Sequence, residues 1–331
     1  MEVNASIQER NAYWDCVKFF MILLVVVGHS LSMGIGNSRV GLSLFNLIYC
    51  FHMPVFVFVS GRFCNKASSR FLKSCFRILE TYLFFQIIFT LYEYPDEFGS
   101  QFFFPRVAMW YLLSLFFWRM FILFIPKKLE SKPILLICLA VIGALVSVFV
   151  PISTMFSFQR TFFFFPFFLL GYLTKNVDFQ FLWNRWLNKM LCVVLLVVLW
   201  GAFYAVDDNI YMYYSGLMIG GVKIMFCRII CLISSAFIGL LVLKLIPVSD
   251  FAASVGKRTL FIYIYHIIVV LYLGRYLCGI GFLPNSLIPL LLYSIVSFSL
   301  LIVLSKFRSL NVFLNPFSSF CDFVLNERGR R

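Results

Sequence analysis

Ten long apolar stretches set the strongest limit on what this chain can fold into. Each is 16–23 residues long, and a helix that crosses a lipid bilayer needs about 20 mostly apolar residues. The stretches cover residues 14–33, 42–61, 76–93, 107–125, 133–152, 160–175, 190–206, 224–246, 259–277 and 286–305. The 331 residues are 62% hydrophobic and only 13% charged, against about 25% charged residues in soluble domains. The sequence therefore predicts an all-α integral membrane protein with about ten transmembrane helices, in a single domain over residues 1–331.

The basic residues are unevenly divided between the predicted loops. If the first span begins inside the cell, 22 of the 28 Lys and Arg residues fall on the cytoplasmic side. The six on the outer side are Arg39, Arg106, Arg160, Lys223, Arg228 and Arg275. The positive-inside rule produces this asymmetry, so we expect both termini to be cytoplasmic. The net charge of +14 is also explained, because basic cytoplasmic loops are attracted to the anionic lipids of the bilayer. A nucleic-acid partner is therefore not expected.

The cysteines and the N-terminus carry no other structural signal. The ten cysteines are scattered, mostly within apolar runs, with no CxxC and no Cys/His cluster. We therefore expect no metal site and no disulfide framework. The first apolar run follows a mixed-charge segment and no small-x-small cleavage site follows it, so a cleavable signal peptide is not expected.

The chain has only three histidines, and all three fall inside predicted spans at similar depth. His29 lies eleven positions after Lys18, which puts both on one helix face with a rise of roughly 16 Å between them. The helix rise places His52 about 15 Å from Arg62 and His266 about 12 Å from Arg258, the basic residues at the predicted cytoplasmic ends of their spans. Ionisable groups inside a membrane are costly and usually functional, although a lone histidine can also join two helices by a hydrogen bond. His29 is the strongest functional candidate, and both interpretations stay open for His52 and His266.

The loop after the second stretch, "GRFCNKASSRFLKSCFR", carries five cations and no acid. The cations are Arg62, Lys66, Arg70, Lys73 and Arg77. This pattern fits either a phosphate-binding surface on the cytoplasmic side or a topology signal that attracts anionic lipid. Two acids nearby are expected to form structural ion pairs, Asp15 with Lys18 and Glu80 with Arg77.

Four stretches resemble the acyltransferase-3 family of polytopic membrane acyltransferases, most closely its fucose 4-O-acetylase-like branch. "RNAYWDCVKFFMILLVVVGHS" matches the family's Arg/Lys-x10-His motif with Lys18 and His29. "FHMPVFVFVSG" is close to the family's "FHMPLFFFISG", and "MWYLLSLFFWR" is similar to its "WFL" span. The fourth resemblance is the stretch "FFPFFLLGY", followed much later by "GKRTLFIYIYH". The four resemblances occur in the same order along the chain as in the family. The resemblance extends from Arg10 to about Ser305.

The resemblance implies acyl transfer, usually of acetyl from acetyl-CoA, to a hydroxyl of a surface glycan or its lipid-linked precursor. It implies His29 as the catalytic histidine and Lys18 as part of the donor site, in a bacterial cytoplasmic membrane. Acetyl-CoA would be a substrate, and no tightly bound cofactor is expected. Family members often carry Arg-x-x-Arg after the second span, where this chain has Arg70 and Lys73.

The geometry of the predicted helices suggests how such a reaction would run. CoA phosphates would lie near Lys18, Arg62 and the 66–77 loop, with the thioester near His29. His29 would act as general base on the sugar hydroxyl, or would carry the acyl group itself. The residues that could orient His29 or stabilise the oxyanion are His52, Trp110, Tyr111 and His266.

Two other functions remain open from the sequence. A transporter or flippase of a glycan precursor also has about ten spans and buried ionisable groups, and would show inverted repeats with matching broken helices. A non-catalytic partner in glycan assembly would tolerate the loss of His29.

Overall fold

A computed structural model describes residues 12–152, 154–177, 186–206 and 208–316. The protein is all helical, 78% helix, with no strand among these residues. The helices are α1 Ala12–Leu31, α2 Arg39–Arg62, α3 Phe71–Glu93, α4 Phe98–Gln101, α5 Trp110–Phe124, α6 Lys127–Glu130, α7 Pro133–Val146, α8 Phe158–Leu173, α9 Trp186–Ala205, α10 Tyr211–Tyr214, α11 Val222–Leu245, α12 Asp250–Gly256, α13 Thr259–His266, α14 Leu273–Gly279, α15 Leu287–Leu304 and α16 Arg308–Val312. The predicted all-α fold is confirmed.

Within the described residues, six helical segments are long and apolar enough to cross a membrane. They are Ala12–Gly34, Arg39–Arg62, Phe71–Glu93, Val222–Leu245, Thr259–Gly279 and Leu287–Leu304. Three shorter apolar helices, Trp110–Phe124, Pro133–Phe149 and Lys189–Ala205, cover three further predicted stretches, and α8 covers the remaining one. The protein is therefore a multi-pass membrane protein. The count of about ten spans and the cytoplasmic termini stay predictions, and residues 1–11 and 317–331 lie outside the described residues.

One end of the helix bundle is defined by Arg62. Its guanidinium lies 4.2 Å from the centre of the Trp14 ring and donates to the carbonyl oxygens of Thr174 and Lys175. The start of α1 and the ends of α2 and α8 therefore meet at this end, which also carries the 66–77 segment. We call it the basic end.

The other end of the bundle is formed by the connections on the far side of the same helices. The Asn46 side chain, near the start of α2, donates to the Asp208 carbonyl oxygen at 2.9 Å. The Phe156 amide, just before α8, donates to the Phe103 carbonyl oxygen at 2.8 Å. We call this the opposite end.

Helices α2 and α8 touch through two glycines. A Cβ atom at Gly61 would lie 2.0 Å from the Phe168 carbonyl oxygen, and one at Gly171 would lie 1.9 Å from the Phe58 carbonyl oxygen. Small residues at such crossings let membrane helices approach backbone to backbone. This contact sets the position of α2 relative to α8, and both helices contribute side chains to the site described below.

The chain after α13 forms a π-helical turn over Ile267–Tyr272, which leads into α14. A π turn widens the helix locally and is often found at functional sites. His266 is the last residue before this turn, so its ring leaves the helix where the regular geometry changes.

Candidate active site

The fold brings the three histidines of the chain together. The His29 ring, in the last turn of α1, stacks on the His266 ring with centroids 5.2 Å apart. Tyr49 lies between His29 and His52, with its ring 6.1 Å from the first and 4.8 Å from the second. His52 and His266 are buried, whereas His29 is partly exposed. Helices α1, α2 and α13 therefore bring the three histidines into one cluster.

Hydrogen bonds limit which nitrogen each histidine can use. His52 Nδ1 donates to the Ile48 carbonyl oxygen at 2.7 Å, and His266 Nδ1 donates to the Tyr263 carbonyl oxygen. Because a carbonyl oxygen can only accept, the proton must be on Nδ1 in both rings. When these rings are neutral, their Nε2 atoms can accept a hydrogen bond but cannot donate one. They therefore fit positioning of a hydroxyl better than stabilisation of an oxyanion.

His29 differs because its Nδ1 faces a hydroxyl, 3.3 Å from the Tyr49 oxygen. A hydroxyl oxygen can accept as well as donate. When Nδ1–H donates to Tyr49, the lone pair on His29 Nε2 is available to take up a proton, as a general base requires.

A small cavity of about 40 Å³ adjoins this cluster. We call it the histidine cavity. Its lining residues are Val25, His29, Tyr49, His52, Met53, Val107, Ala108, Trp110, Arg160, Phe164, Tyr211, Tyr214, Ser215 and Tyr263. It has room for only a few water molecules, so the space beside His29 is narrow.

A larger pocket of about 380 Å³ lies at the opposite end of the bundle. Its lining residues are Gln101, Phe104, Pro105, Arg106, Val107, Trp110, Thr154, Ser157, Arg160 and Leu217. We call it the opposite-end pocket. It shares Val107, Trp110 and Arg160 with the histidine cavity, so the two spaces adjoin.

The wall shared by the two spaces contains a strained residue. Val107 has a φ of +45°, a conformation that is unfavourable for a β-branched residue. Backbone strain of this kind persists where the surroundings hold it and is concentrated at functional sites.

The residues predicted to support catalysis are placed differently from one another. Trp110 lines both spaces, but its faces are occupied by the Arg160 guanidinium at 4.8 Å and the stacked Phe164 ring at 5.2 Å. The Tyr111 hydroxyl lies 2.6 Å from Ser60 Oγ, and Tyr111 is not part of the lining of either space. Trp110 is therefore placed to hold Arg160, and Tyr111 packs one layer behind the site.

The predicted donor residues divide into two groups at the basic end. Lys18 Nζ lies 2.5 Å from Asp15 Oδ1 and 4.5 Å from the centre of the Phe63 ring. Arg62 makes the contacts with Trp14, Thr174 and Lys175 that join α1, α2 and α8. By contrast, Arg70, Lys73 and Arg77 are exposed around the start of α3, and Glu80 is partly buried one turn further on.

Lys66 connects the basic loop to the neighbouring helices. Its Nζ lies 2.6 Å from Glu130 Oε1 and donates to the carbonyl oxygens of Ile122 and Ile125. Tyr172 donates to the same carboxylate at 2.7 Å. Burial alone would raise the pKa of Glu130, but these donors hold it below its ordinary value. Lys66 is thus part of the scaffold of the basic end.

The sequence did not predict most of the residues that line the histidine cavity. Tyr49, Arg160 and Tyr211 are the ones among them that matter for the argument below. A signal existed for Tyr49, which lies three positions before His52 and so on the same helix face. Arg160 immediately precedes the aromatic run "TFFFFPFF", yet its charge indicates only a position near a membrane edge.

Within the described residues, no three His, Cys, Asp or Glu side chains are arranged to hold a metal ion.

Comparison with known proteins assigns the family. No curated protein and no solved structure gives a significant match to the chain. A family model described as an acyltransferase domain, however, matches residues 11–306. The protein, with its enclosed histidine cluster inside a multi-pass bundle, therefore belongs to the acyltransferase-3 family.

Proposed function

We propose that this protein is a membrane O-acyltransferase that moves an acetyl group from acetyl-CoA to a hydroxyl of a surface glycan or its lipid-linked precursor. Family membership supports acyl transfer, and the acetyl donor, the glycan acceptor and a bacterial cytoplasmic membrane are our proposal. The observation that carries it is the position of His29, inside the bundle next to a pocket at the end remote from the exposed cations of the 66–77 segment.

The donor would approach from the basic end. The exposed side chains of Arg70, Lys73 and Arg77 offer positive charge to the phosphates of CoA. Lys73 lacks the planar fork of arginine and would act as a point charge. Lys18 lies further in, and His29 is eleven residues along the same helix, a rise of roughly 16 Å. The long pantetheine arm would cover this distance and bring the thioester to His29.

The acceptor would approach from the opposite end. A pocket of about 380 Å³ has the size of a small-molecule binding site, and it adjoins the histidine cavity at Trp110 and Arg160. A sugar bound there would present one hydroxyl to His29. The reacting groups would meet inside the protein, each entering from its own side.

The chemical step would be direct transfer. His29 Nε2 takes the proton of the sugar hydroxyl while the oxygen attacks the acetyl carbonyl carbon. The tetrahedral intermediate collapses with cleavage of the carbon–sulfur bond. The CoA thiolate leaves and takes the proton from the His29 imidazolium, which gives the acetyl ester and free CoA. Tyr49 keeps the ring oriented through Nδ1.

Radiolabelled acetyl-CoA supplied to inverted membrane vesicles tests this proposal. We expect label to enter a glycan or lipid-linked fraction with the wild type and to be lost with His29→Ala, because the general base is gone. The thermal stability of each purified variant serves as the folding control.

Two results would contradict the proposal. Equal labelling by wild type and a folded His29→Ala variant would remove His29 from catalysis. Accumulation of a solute without any labelled product would favour a transporter.

A further inference from the structure

Arg160 is held in the wall between the two spaces by neutral groups only. Its guanidinium lies 4.8 Å from the centre of the Trp110 ring and donates one hydrogen bond, to the Tyr211 hydroxyl at 3.1 Å. The buried Nε atom has no hydrogen-bond partner. Among the described residues, no carboxylate lies within ion-pair distance of Arg160, and a π face and a hydroxyl leave its positive charge intact.

Two other arginines at the same end show what structural arginines look like in this fold. Arg228 donates to the carbonyl oxygens of Ala144 and Met218, at 2.8 and 2.7 Å, and to Ser147 Oγ at 2.7 Å. Arg106 is paired with Glu93 at 3.5 Å. Each is satisfied by the protein itself, and Arg160 is not.

A partly buried guanidinium whose Nε has no hydrogen-bond partner carries a desolvation cost that a binding partner can offset. The lining of the opposite-end pocket contains Arg106 and Arg160 and no Asp or Glu. The acidic residues of the nearby α3–α4 connection, Asp96 and Glu97, are exposed. Since Glu93 balances Arg106, the net charge that this pocket presents to a ligand comes from Arg160.

We propose that the opposite-end pocket accepts an anionic sugar, one that carries a carboxylate or a phosphate, and that Arg160 binds this group. The inference rests on the proposed function and names the class of acceptor. Arginine is suited to the task because its planar fork binds carboxylate or phosphate through two parallel hydrogen bonds. Because Arg160 belongs to both linings, an anionic group bound to it would hold a neighbouring hydroxyl at the mouth of the histidine cavity.

Ligand binding to the purified full-length protein in detergent, without acetyl-CoA, tests the inference. Thermal unfolding is followed during titration with sodium glucuronate, glucose 1-phosphate or methyl glucoside, at one fixed ionic strength. We expect one or both anionic sugars to raise the melting temperature through preferential binding to the folded state, and methyl glucoside to bind more weakly. The glucuronate and phosphate arms distinguish a carboxylate from a phosphate.

Variants connect the effect to Arg160. We expect Arg160→Gln to weaken binding of the preferred anion by about tenfold or more. Lys223→Gln, which removes an exposed charge at the same end outside the pocket lining, should bind like the wild type. If Arg160→Gln does not fold, the comparison of charged and neutral sugars on the wild type still shows whether the protein prefers an anionic sugar.

Equal affinity for methyl glucoside and both anionic sugars would overturn the inference, as would undiminished anion binding by a folded Arg160→Gln variant. Anion binding together with no acetyl transfer to any acceptor would contradict the proposed function alone. Acetyl transfer to neutral sugars only would contradict this inference and leave acyl transfer standing.

Discussion

At the scale of single residues, the hydroxyl of Tyr49 is the contact that most directly controls His29. We expect Tyr49→Phe to lower kcat by about tenfold or more, because His29 Nδ1 loses the hydroxyl that orients its ring. The KM for acetyl-CoA should change little, since Tyr49 lies far from the basic end. Steady-state acetyl transfer measures both constants.

A second tyrosine provides the matched control for this variant. Tyr265 also donates through its hydroxyl, to the Leu310 carbonyl oxygen at 2.9 Å, but it lines neither space. Tyr265→Phe should keep the wild-type kcat. A folded Tyr49→Phe variant with unchanged kcat would show that the tyrosine does not position His29.

Single and double variants of the Lys18–Asp15 pair can distinguish a structural role of Lys18 from a role in binding the donor. Lys18→Met alone leaves the buried Asp15 carboxylate without its lysine, which costs about 3–5 kcal/mol when an ion pair in a protein interior is broken. Replacing both residues, as Lys18→Met with Asp15→Asn, removes both charges and should restore most of the thermal stability.

Kinetics of the folded double variant then test the donor site. If Lys18 binds CoA, we expect the KM for acetyl-CoA to stay raised by about tenfold, the loss of one charge-assisted contact. A stable double variant with a wild-type KM would make Lys18 a purely structural residue.

At the scale of helices, the glycine contact between α2 and α8 is the most sensitive point of the fold. We expect Gly61→Ala to destabilise the protein by about 1–3 kcal/mol, because the added methyl group meets a backbone carbonyl that cannot move aside. Gly201→Ala is the control, since a Cβ there meets nothing within 4 Å and alanine favours the helix. Thermal unfolding in detergent measures both, and equal stability of the two variants would refute the close packing.

The ion pair between α6 and the basic loop predicts a pH dependence of stability. The pKa of Glu130 is lower in the folded protein than its ordinary value of 4.5, so the ionised form stabilises folding. This contribution is fully present above pH 4.5 and is lost as the pH falls through the lower folded value. Glu130→Gln should therefore reduce the melting temperature at pH 7, and the difference from wild type should shrink at pH 4 and below. A constant difference across this range would contradict the assignment.

At the scale of the whole molecule, the proposed reaction has a defined sidedness. In vesicles of known orientation, acetyl-CoA should support transfer only from the side of the basic end. The acceptor should be needed on the other side. Transfer that is indifferent to the side of acetyl-CoA addition would contradict the two-sided arrangement.

The sequence predicted the helical membrane fold and a similar depth for the three histidines, because span length and depth along a helix follow directly from residue number. That the three rings meet in one cluster is seen only in the structure. It did not predict Tyr49 and Arg160 as site residues. Which neighbour a side chain meets depends on how helices rotate and cross, as at Gly61 and Gly171, and no periodicity in one chain contains that information. The basic loop was ambiguous for a related reason. Lys66 and Arg70 look alike in sequence, but within the part of the chain that the structure describes, of the two only Lys66 forms an ion pair with a carboxylate.

The narrowness of the histidine cavity also bears on what has to pass through the membrane. A space of about 40 Å³ admits only a few water molecules, so it is not a wide water-filled pore. In the proposed reaction only the acetyl group would pass this point, by changing partners at His29, and CoA and the sugar would each stay on its own side. Material outside the cell would then be modified without export of an activated donor.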